Sequence, residues 1–428
     1  MDFRTRITDA FRTTVPPALA PPDHFDQADV AVMLREIGIA MVEVSAPVQL
    51  VEERLRQIAA RYTTARVQVA VLPTMLLIQV GTSHEMEGSA QPSGQLDMAA
   101  RIDEIAGLAG AGAISPRDAV DAVHAARNQR SRFGPVATTL GYGLTTVGFG
   151  MVIDATWKAL LAHLFLGLVV GLIIQISRPF PSLTPILPTL SAVVVTLLAT
   201  WFVADVADDG LLRVISPSLV ALLPGMALVI GSIELAVSRI VSGSSRTVYG
   251  LAQIGLMVYG VVIGVRIAGQ VPVHGSSTPM GAWSLYASIV VIAVGLYFYL
   301  SAPRGSLLWL LLIIAVAMLA QTVAGFVMNS AHSGFIGAMV AIPLAMLASR
   351  VRGAPPASVL ALAAFWSLVP GQLTFMSLSR SASGDVAGIA SVSVAGAAIL
   401  SIALGTLAGW SLVRTLPRAQ RPPAPVAA

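Results

Sequence analysis

The 428-residue chain contains no cysteine, which excludes disulfide bonds and thiolate metal sites. Charge is also scarce, because Asp, Glu, Lys and Arg together make up 11% of the residues, whereas soluble domains carry about 25%. Hydrophobic residues make up 55%, and the mean hydropathy is +0.79. These values argue against a soluble enzyme and indicate an integral membrane protein.

Acidic residues are nearly missing from the last two thirds of the chain. Sixteen of the 22 lie before residue 134. The others are Asp154, Asp205, Asp208, Asp209, Glu234 and Asp385. This change in composition predicts a polar domain over 25–133, preceded by an irregular, proline-rich leader over 1–24. The N-terminus has no apolar segment of the kind that a signal peptide needs, so we expect residues 1–133 to stay in the cytoplasm.

The polar domain has the pattern of a small α+β fold. Helical spacing over 25–45 and again after Pro47 predicts two helices. The stretches "ARVQVAVLP" and "TMLLIQVG" predict two strands joined near Pro73, followed by a loop, "SHEMEGSAQPSGQ". Further helices are expected from Leu96 and after Ser115, where Ser115 suits the N-cap and Pro116 the first helical position.

The rest of the chain is rich in apolar runs long enough to cross a bilayer, which takes about 20 helical residues. We count ten such runs. They lie at about 135–153, 159–177, 186–204, 214–237, 247–268, 283–301, 306–329, 331–348, 357–378 and 386–412. The sequence thus predicts a mainly α, polytopic membrane protein with five helices in 134–270, five in 271–414 and a tail over 415–428.

The distribution of arginine predicts the orientation of these helices. With the N-terminus inside, twelve arginines fall in cytoplasmic segments, and four basic residues fall outside. This bias favours ten spans in the bacterial inner membrane with both termini cytoplasmic. Because the basic residues lie at helix ends rather than in one patch, the formal net charge of +4 does not indicate a nucleic-acid partner.

Two of the runs share a helix-breaking motif. The fourth contains "ALLPGMAL" and the ninth "SLVPGQLT", so Pro224 and Gly225 lie 146 residues before Pro370 and Gly371. Each motif falls in the fourth helix of a five-helix half. Since five is odd, two repeated halves would enter the membrane in opposite senses, which predicts an inverted repeat.

A proline-glycine break frees backbone polar groups inside the membrane. Such groups are tolerated only where they are buried in protein or face a water-filled cavity. Matched breaks in inverted repeats are the sequence feature that best marks the substrate site of a transporter. We therefore predict that Pro224, Gly225, Pro370 and Gly371 line a site for a small polar solute. A simple proline kink in each helix is the alternative.

Glu234 is a carboxylate well inside an apolar run, nine residues after Gly225. Carboxylates at membrane depth are costly and usually face a cavity, a partner or a proton path. One interpretation is that Glu234 takes up and releases the coupling proton. The other is a salt bridge with Arg239 or Arg246 at the end of the helix.

Several apolar runs contain pairs of glycines four residues apart, which permit close packing of helices. These pairs are Gly167/Gly171, Gly260/Gly264 and Gly405/Gly409. We interpret them as packing positions.

Known catalytic and nucleotide-binding motifs are absent from the membrane region of the sequence, and we predict no catalytic residues, metal or cofactor. Two other function classes stay open. A membrane-anchored sensor or enzyme would use polar residues of the N-terminal domain, for which the candidates are His84, Glu85, Glu87 and His124. A channel is the third class.

Several segments together resemble the bacterial threonine/serine exporter family, in its fused single-chain actinobacterial form. They are "VEERLRQIAARY", "VQVAVLPTMLLIQVG", "SRFGPVATTLGYG", "LLPGMALVIGSIELAVSRIVSGSSR" and "LASRVRGAPPASVLALAAFWSLVPG". The resemblance covers about residues 28–414. The motif positions are Pro224, Gly225, Glu234, Ser242, Gly243, Arg246, Pro355, Pro356, Pro370 and Gly371. In the N-terminal domain, Ser45-Ala46-Pro47 departs from the family's Ser-Gly, and Glu52 is the matching acid.

The resemblance implies efflux of threonine, serine or a similar small amino acid, driven by protons as the second partner. It places Ser242, Gly243 and Arg246 at the cytoplasmic mouth, with Arg246 as an electrostatic partner for a carboxylate. Dicarboxylate export is an alternative. The oligomeric state is left open, with a homo-oligomer among the options.

Overall fold

The computed structural model describes residues 17–88, 94–153, 155–203, 211–269, 278–368, 375–376 and 388–415. The chain is mainly helical, with one small sheet near the N-terminus. The leader over 1–16 and the tail after 415 lie outside the described residues.

In the described residues, the N-terminal unit combines four helices with a three-stranded antiparallel sheet in the order β1-β2-β3. The helices are α1 (Gln27–Glu43), α2 (Val48–Tyr62), α3 (Leu96–Ala111) and α4 (Pro116–Arg127), and the strands are β1 (Val67–Leu72), β2 (Met75–Val80) and β3 (Ser83–Gly88). The β1–β2 hairpin turns at Pro73, as the sequence predicts. The Ser115 hydroxyl accepts a hydrogen bond from the Asp118 N–H at 3.2 Å, so the expected N-cap is confirmed.

The third strand was not expected, because residues 83–88 were interpreted as part of a loop. In the structure they pair with β2 along the whole strand, from Val80↔Ser83 to Met75↔Gly88. The turn between the two strands passes through Gly81, which has a φ of +57° that favours glycine. The loop prediction was therefore wrong, since pairing with β2 satisfies the backbone of a segment whose own composition is polar.

Eleven helices follow the N-terminal unit in the described residues. They are α5 (Pro135–Ile153), α6 (Trp157–Ser177), α7 (Leu187–Leu198), α8 (Leu211–Leu219), α9 (Gly225–Ala236), α10 (Ile240–Ala268), α11 (Trp283–Tyr299), α12 (Leu307–Gly325), α13 (Ser330–Ala348), α14 (Ala357–Leu368) and α15 (Gly388–Thr415). A π-helical turn, Ala199–Val203, extends α7, and a 3-10 turn, Val220–Leu222, follows α8.

Five of these helices are long and apolar enough to cross a membrane, and a sixth span results if α8 and α9 are taken as one bent pair. The shorter apolar helices among the described residues cover 187–203, 283–299, 332–348 and 357–368. Large apolar side chains such as Leu161, Leu308 and Phe326 are exposed on the outer surface of the bundle. The protein is therefore a multi-pass membrane protein whose helices carry lipid-facing side chains.

Among the described membrane helices, each run starts within three residues of its expected start except the fifth. Helix α10 begins at Ile240, seven residues before the expected start at 247. The fourth run, expected over 214–237, consists of two helices, as its Pro-Gly motif predicts.

The N-terminal unit has its own apolar core and also packs against the membrane helices. Most of α3 faces the unit's own core, but Leu96 and Ala99, at its beginning, belong to the core of the membrane helices. The Leu96 N–H donates to the Leu300 carbonyl, just after α11, at 2.8 Å. The unit is thus docked on the bundle by backbone as well as side-chain contacts.

Candidate functional site at the broken helix

The fourth run is interrupted at Pro224, as the sequence predicts. The 3-10 turn ends at Leu222, Leu223 is extended (φ −72°, ψ 132°), and α9 begins at Gly225. The two parts make an angle of 63°. The first backbone hydrogen bond of α9 runs from the Leu228 N–H to the Pro224 carbonyl at 3.1 Å. The amides before Leu228 therefore have no acceptor within α9, and the positive end of its dipole lies at the break.

Helix α8, which leads into the break, is fixed by hydrogen bonds to its buried backbone. The Tyr142 hydroxyl of α5 donates to the Ser218 carbonyl at 2.7 Å. The Ser218 hydroxyl in turn donates to the Ile215 carbonyl at 2.7 Å, next to Pro217, which has no N–H to donate. The first of these contacts ties the end of α8 to a neighbouring helix, so the segment before the break is held from α5.

Glu234 lies near the other end of α9 and is completely buried. Its Oε1 accepts a hydrogen bond from the Val48 N–H, at the start of α2, at 3.1 Å. Its Oε2 faces the Arg246 Nε of α10 at 3.2 Å as an ion pair. Glu234 thus joins three elements, and it serves the N-terminus of α2 as a capping carboxylate, since Pro47 has no side-chain donor or acceptor for that role.

A second ion pair joins the same elements. The Arg239 Nη2, between α9 and α10, lies 2.6 Å from Glu52 Oε2 of α2. Arg56 approaches the same oxygen at 3.3 Å. Of the two arginines considered as partners, Arg246 therefore pairs with Glu234, while Arg239 binds Glu52. Glu52, the motif acid of the N-terminal domain, is buried at the contact with the membrane helices.

Gly243 lies where α9 and α10 cross. A Cβ at this position would lie 2.7 Å from the Gly231 carbonyl oxygen and 2.7 Å from the Leu235 nitrogen, both backbone atoms. At Gly231 a Cβ would meet the Thr247 hydroxyl at 2.7 Å. Ser242, beside it, is buried. The Ser-Gly-x-x-Arg motif therefore brings two helices into backbone contact and sets Arg246 one turn further on, beside Glu234.

The break and the Glu234–Arg246 pair lie at opposite ends of α9. Nine residues separate Gly225 from Glu234, which corresponds to about 13 Å along a helix. This distance exceeds the length of a single small amino acid, so one solute cannot contact both places at once. The candidate site therefore has two parts joined by α9.

Of the motif residues predicted in the second half, the structure describes Pro355 and Pro356. Pro370 and Gly371 lie outside the described residues. Pro355 and Pro356 precede α14 and line an open groove of about 560 Å³ between α3 and the membrane helices. Its charged lining residues are Asp97, Arg101, Glu104, Arg130, Arg132 and Arg304. Burial raises the pKa of Asp97, although it accepts backbone hydrogen bonds from Met98 and Arg132.

Three of the four polar residues considered for a sensor or enzyme belong to an ion-pair network. Arg35 binds Glu85 at 2.7 Å and Glu87 at 2.9 Å, and His124 lies 3.2 Å from the buried Glu36. His84 points to the opposite face of β3 from Glu85 and Glu87, because side chains alternate along a strand. Within the described residues, no group of three His, Asp or Glu side chains is arranged to hold a metal ion.

The part of the chain that contains this site matches a family model. Residues 32–268 match the ThrE family model, whose description is "Putative threonine/serine exporter". The chain belongs to this family. The matched residues, more than half of the chain, run from α1 to the end of α10 and include every residue of the broken helix and the ion pairs. No curated protein and no solved structure matches the chain.

Membership in ThrE agrees with the resemblance found in the sequence. The description of ThrE is that of a family of exporters, and the apolar helices of the chain fit that class. What sequence reasoning missed is the contribution of α2, because the Val48 amide reaches Glu234 only after the N-terminal unit has docked.

Proposed function

We propose that the protein is a proton-coupled antiporter that exports threonine, serine or a similar small polar amino acid across the bacterial inner membrane. The observation that carries the proposal is the 63° break at Pro224-Gly225 in a member of an exporter family. The free amides at the start of α9 suit a carboxylate of the solute, because they lie at the positive end of the helix dipole.

The packing of the helices supports two repeated halves of five spans. Gly260 and Gly264 of α10 pack against Thr189 and Thr196 of the α7 region. In the second half, Gly405 and Gly409 of α15 pack against Phe335 and Pro343 of α13. Each glycine lies 145 residues before its counterpart, close to the 146 between the two Pro-Gly motifs. The third and fifth helices of each half therefore meet through equivalent glycines.

The crossing of α5 with α11 supports the inverted arrangement of the halves. A Cβ at Gly148 would contact Ile292, and a Cβ at Gly295 would contact Thr145. Gly148 and Gly295 are 147 residues apart, and so are Thr145 and Ile292, so the members of each pair occupy equivalent positions of the repeat. The two contacts therefore join the same two repeat positions. Two equivalent helices that run antiparallel and make such reciprocal contacts are related by a two-fold axis perpendicular to the helices.

In the proposed mechanism, a movement of α9 couples the two parts of the site. Solute at the break and a proton at Glu234 act on opposite ends of one rigid helix. Protonation of Glu234 would weaken its ion pair with Arg246 and its contact with Val48, and release the far end of α9. A shift of α9 then changes the geometry at Pro224.

Repair of the break tests the substrate site. In the double variant Pro224→Ala/Gly225→Ala, α8 and α9 regain a continuous hydrogen-bond ladder, so we expect a folded protein with little or no threonine flux. The measurement is counterflow of radiolabelled threonine in proteoliposomes. Gly255→Ala, at a glycine with no atom near its added Cβ, is the matched control and should transport like the original protein. Undiminished flux in the double variant would contradict the role of the break.

Neutralisation of the buried acid tests proton coupling. We expect Glu234→Gln to reach the membrane and to lose transport driven by an imposed pH gradient, because an amide cannot take up the proton. Flux is measured with and without the gradient, and Asp121→Asn, at an exposed position of α4, is the control. If coupling survives in Glu234→Gln, another group carries the proton.

Dicarboxylate export is the second candidate, and the groove beside Pro355 favours it. Four arginines and two acids line this groove, so its formal charge attracts anions. Counterflow with a panel of amino acids and dicarboxylates separates the two substrate classes.

Two further experiments test the other function classes. A sensor or enzyme would lose all function without residues 1–130, whereas an exporter keeps some flux. Saturable flux that follows a pH gradient separates the exporter from a channel.

A further inference from the structure

The groove beside Pro355 lies at the level where membrane helices begin and end. Besides α3, its walls are the segment before α5, the turn between α11 and α12, and the segment before α14. The turn that contains Arg304, for example, joins the end of α11 at Tyr299 to the start of α12 at Leu307. Since apolar helices of a membrane protein end at the boundary between hydrocarbon and water, the groove lies at the depth of lipid headgroups.

Two arginines of the groove have no partner within the part of the chain that the structure describes. The Arg101 guanidinium pairs with Glu104 at 2.7 Å, so these two charges cancel. In contrast, the exposed side chains of Arg130 and Arg304 make no hydrogen bond or ion pair with any described residue. Their charges are therefore free to bind a ligand.

Arg132, a third arginine of the groove, is held in a fixed position. Its Nη1 donates to the Tyr297 hydroxyl and to the Ala302 carbonyl, both at 2.8 Å. Its guanidinium also lies over the rings of Phe133 and Tyr297, 4.7 and 5.2 Å from their centres. These contacts do not use Nε and Nη2, which form a fork that suits two oxygens of a phosphate. Because the side chain is already ordered, binding costs it little entropy.

The charge and size of the groove favour an anionic ligand. Once the Arg101–Glu104 pair is set aside, three arginines and Asp97 remain, which gives three positive charges against one negative charge. Asp97 is itself occupied, because it accepts a hydrogen bond from the Arg132 N–H at 3.3 Å. The volume of about 560 Å³ lies in the range of about 300–1,000 Å³ that is usual for sites of small ligands.

An exposed apolar surface begins close to the groove. Helix α12 begins three residues after Arg304, and its side chains Leu308 and Leu312, one turn apart, are 76% and 43% exposed. A lipid chain that covers these side chains can extend from a phosphate held at Arg304, whereas a free phosphate gains nothing from them. The groove therefore suits a lipid better than a soluble anion.

We propose that the groove binds the phosphate headgroup of an anionic phospholipid. The fork of Arg132 binds the phosphate oxygens, Arg130 and Arg304 supply the remaining positive charge, and the acyl chains lie on α12. Because the walls belong to both the N-terminal unit and the membrane helices, the lipid joins them beside the hydrogen bond between Leu96 and Leu300. This assignment competes with the use of the groove by a dicarboxylate, and it does not depend on which solute is exported.

The test measures the binding of defined lipids to the full-length protein in detergent by native mass spectrometry. Dioleoyl phosphatidylglycerol is compared with dioleoyl phosphatidylcholine, which has the same acyl chains and no net charge. In the double variant Arg130→Gln/Arg304→Gln we expect the Kd for phosphatidylglycerol to rise about tenfold or more, because two cationic donors are lost. Arg352→Gln, at an exposed position of the segment before α14 that does not line the groove, is the matched control and should leave the Kd unchanged.

A lipid series on the unaltered protein keeps the proposal testable even if the double variant misfolds. Phosphatidylglycerol should raise the thermal midpoint more than phosphatidylcholine does, because it binds the docked form of the N-terminal unit. The difference should shrink at high salt, since salt screens exposed charges.

Three results would overturn the lipid site. One is equal binding of phosphatidylcholine and phosphatidylglycerol, and another is a loss of binding in Arg352→Gln as large as in the double variant, because any surface charge would then suffice. The third is displacement of the lipid by an equal concentration of inorganic phosphate or succinate, which would assign the groove to a soluble anion. None of these results depends on threonine counterflow, so the proposed export is tested separately.

Discussion

Arg246→Leu is expected to lower the stability of the protein more than any other single change at the site. The substitution leaves Glu234 fully buried with only the Val48 N–H as a partner. Removing one member of a buried ion pair costs about 3–5 kcal/mol, because the other charge stays uncompensated. We expect poor accumulation in the membrane, a large fall in thermal midpoint in detergent and no threonine flux.

The double variant Glu234→Gln/Arg246→Leu tests whether the loss of stability comes from the unpaired charge of Glu234 or from the changed shape of residue 246. Replacing a buried pair by neutral residues is often close to neutral for stability, so the double variant should recover most of the lost thermal midpoint while transport stays absent. Arg213→Leu, outside this pair, is the control for loss of an arginine as such. If Arg246→Leu is as stable as the original protein, Glu234 is not held as a buried charge.

The second large effect is expected at the crossing of α5 and α11. In Gly295→Ala the added Cβ would lie 2.5 Å from the Thr145 nitrogen, and in Gly148→Ala it would lie 2.9 Å from the Ile292 nitrogen. Since these are backbone atoms, no side-chain rotation relieves the clash, and overpacking costs about 1–3 kcal/mol. Both variants should therefore unfold at lower temperature than the original protein.

The repeat makes this prediction more specific. Because the two glycines occupy equivalent positions of the proposed two-fold arrangement, their variants should lose similar stability and transport, and the double variant should lose less than the sum. Gly255→Ala, which meets no atom within 4 Å, should be unaffected. Thermal unfolding followed by fluorescence in detergent measures all four proteins. A large loss in one single variant and none in the other would contradict the reciprocal crossing.

The features that sequence alone could predict are those with a local physical cause. A Pro-Gly pair interrupts a helix whatever surrounds it, and Ser115-Pro116 begins one, so both positions were predicted correctly. Apolar runs of about 20 residues likewise determine where membrane helices lie.

The features that sequence could not predict depend on tertiary contacts. Arg239 and Arg246 are both near Glu234 in the chain, and only the close crossing at Gly231 and Gly243 decides which one reaches it. Strand β3 is polar and gains its structure by pairing with β2. Val48, whose amide binds Glu234, lies 186 residues earlier in the chain, so no local pattern connects them.

The N-terminal unit is attached to the helical bundle at two places. At the first, Val48 and Glu52 hold Glu234 and Arg239, around α9 and α10. At the second, Leu96 binds the carbonyl that follows α11. Because hydrogen bonds are lost beyond about 3.5 Å, rocking of α10 away from α11 must detach one of these anchors. While both anchors are intact, the unit therefore ties α10 to the end of α11.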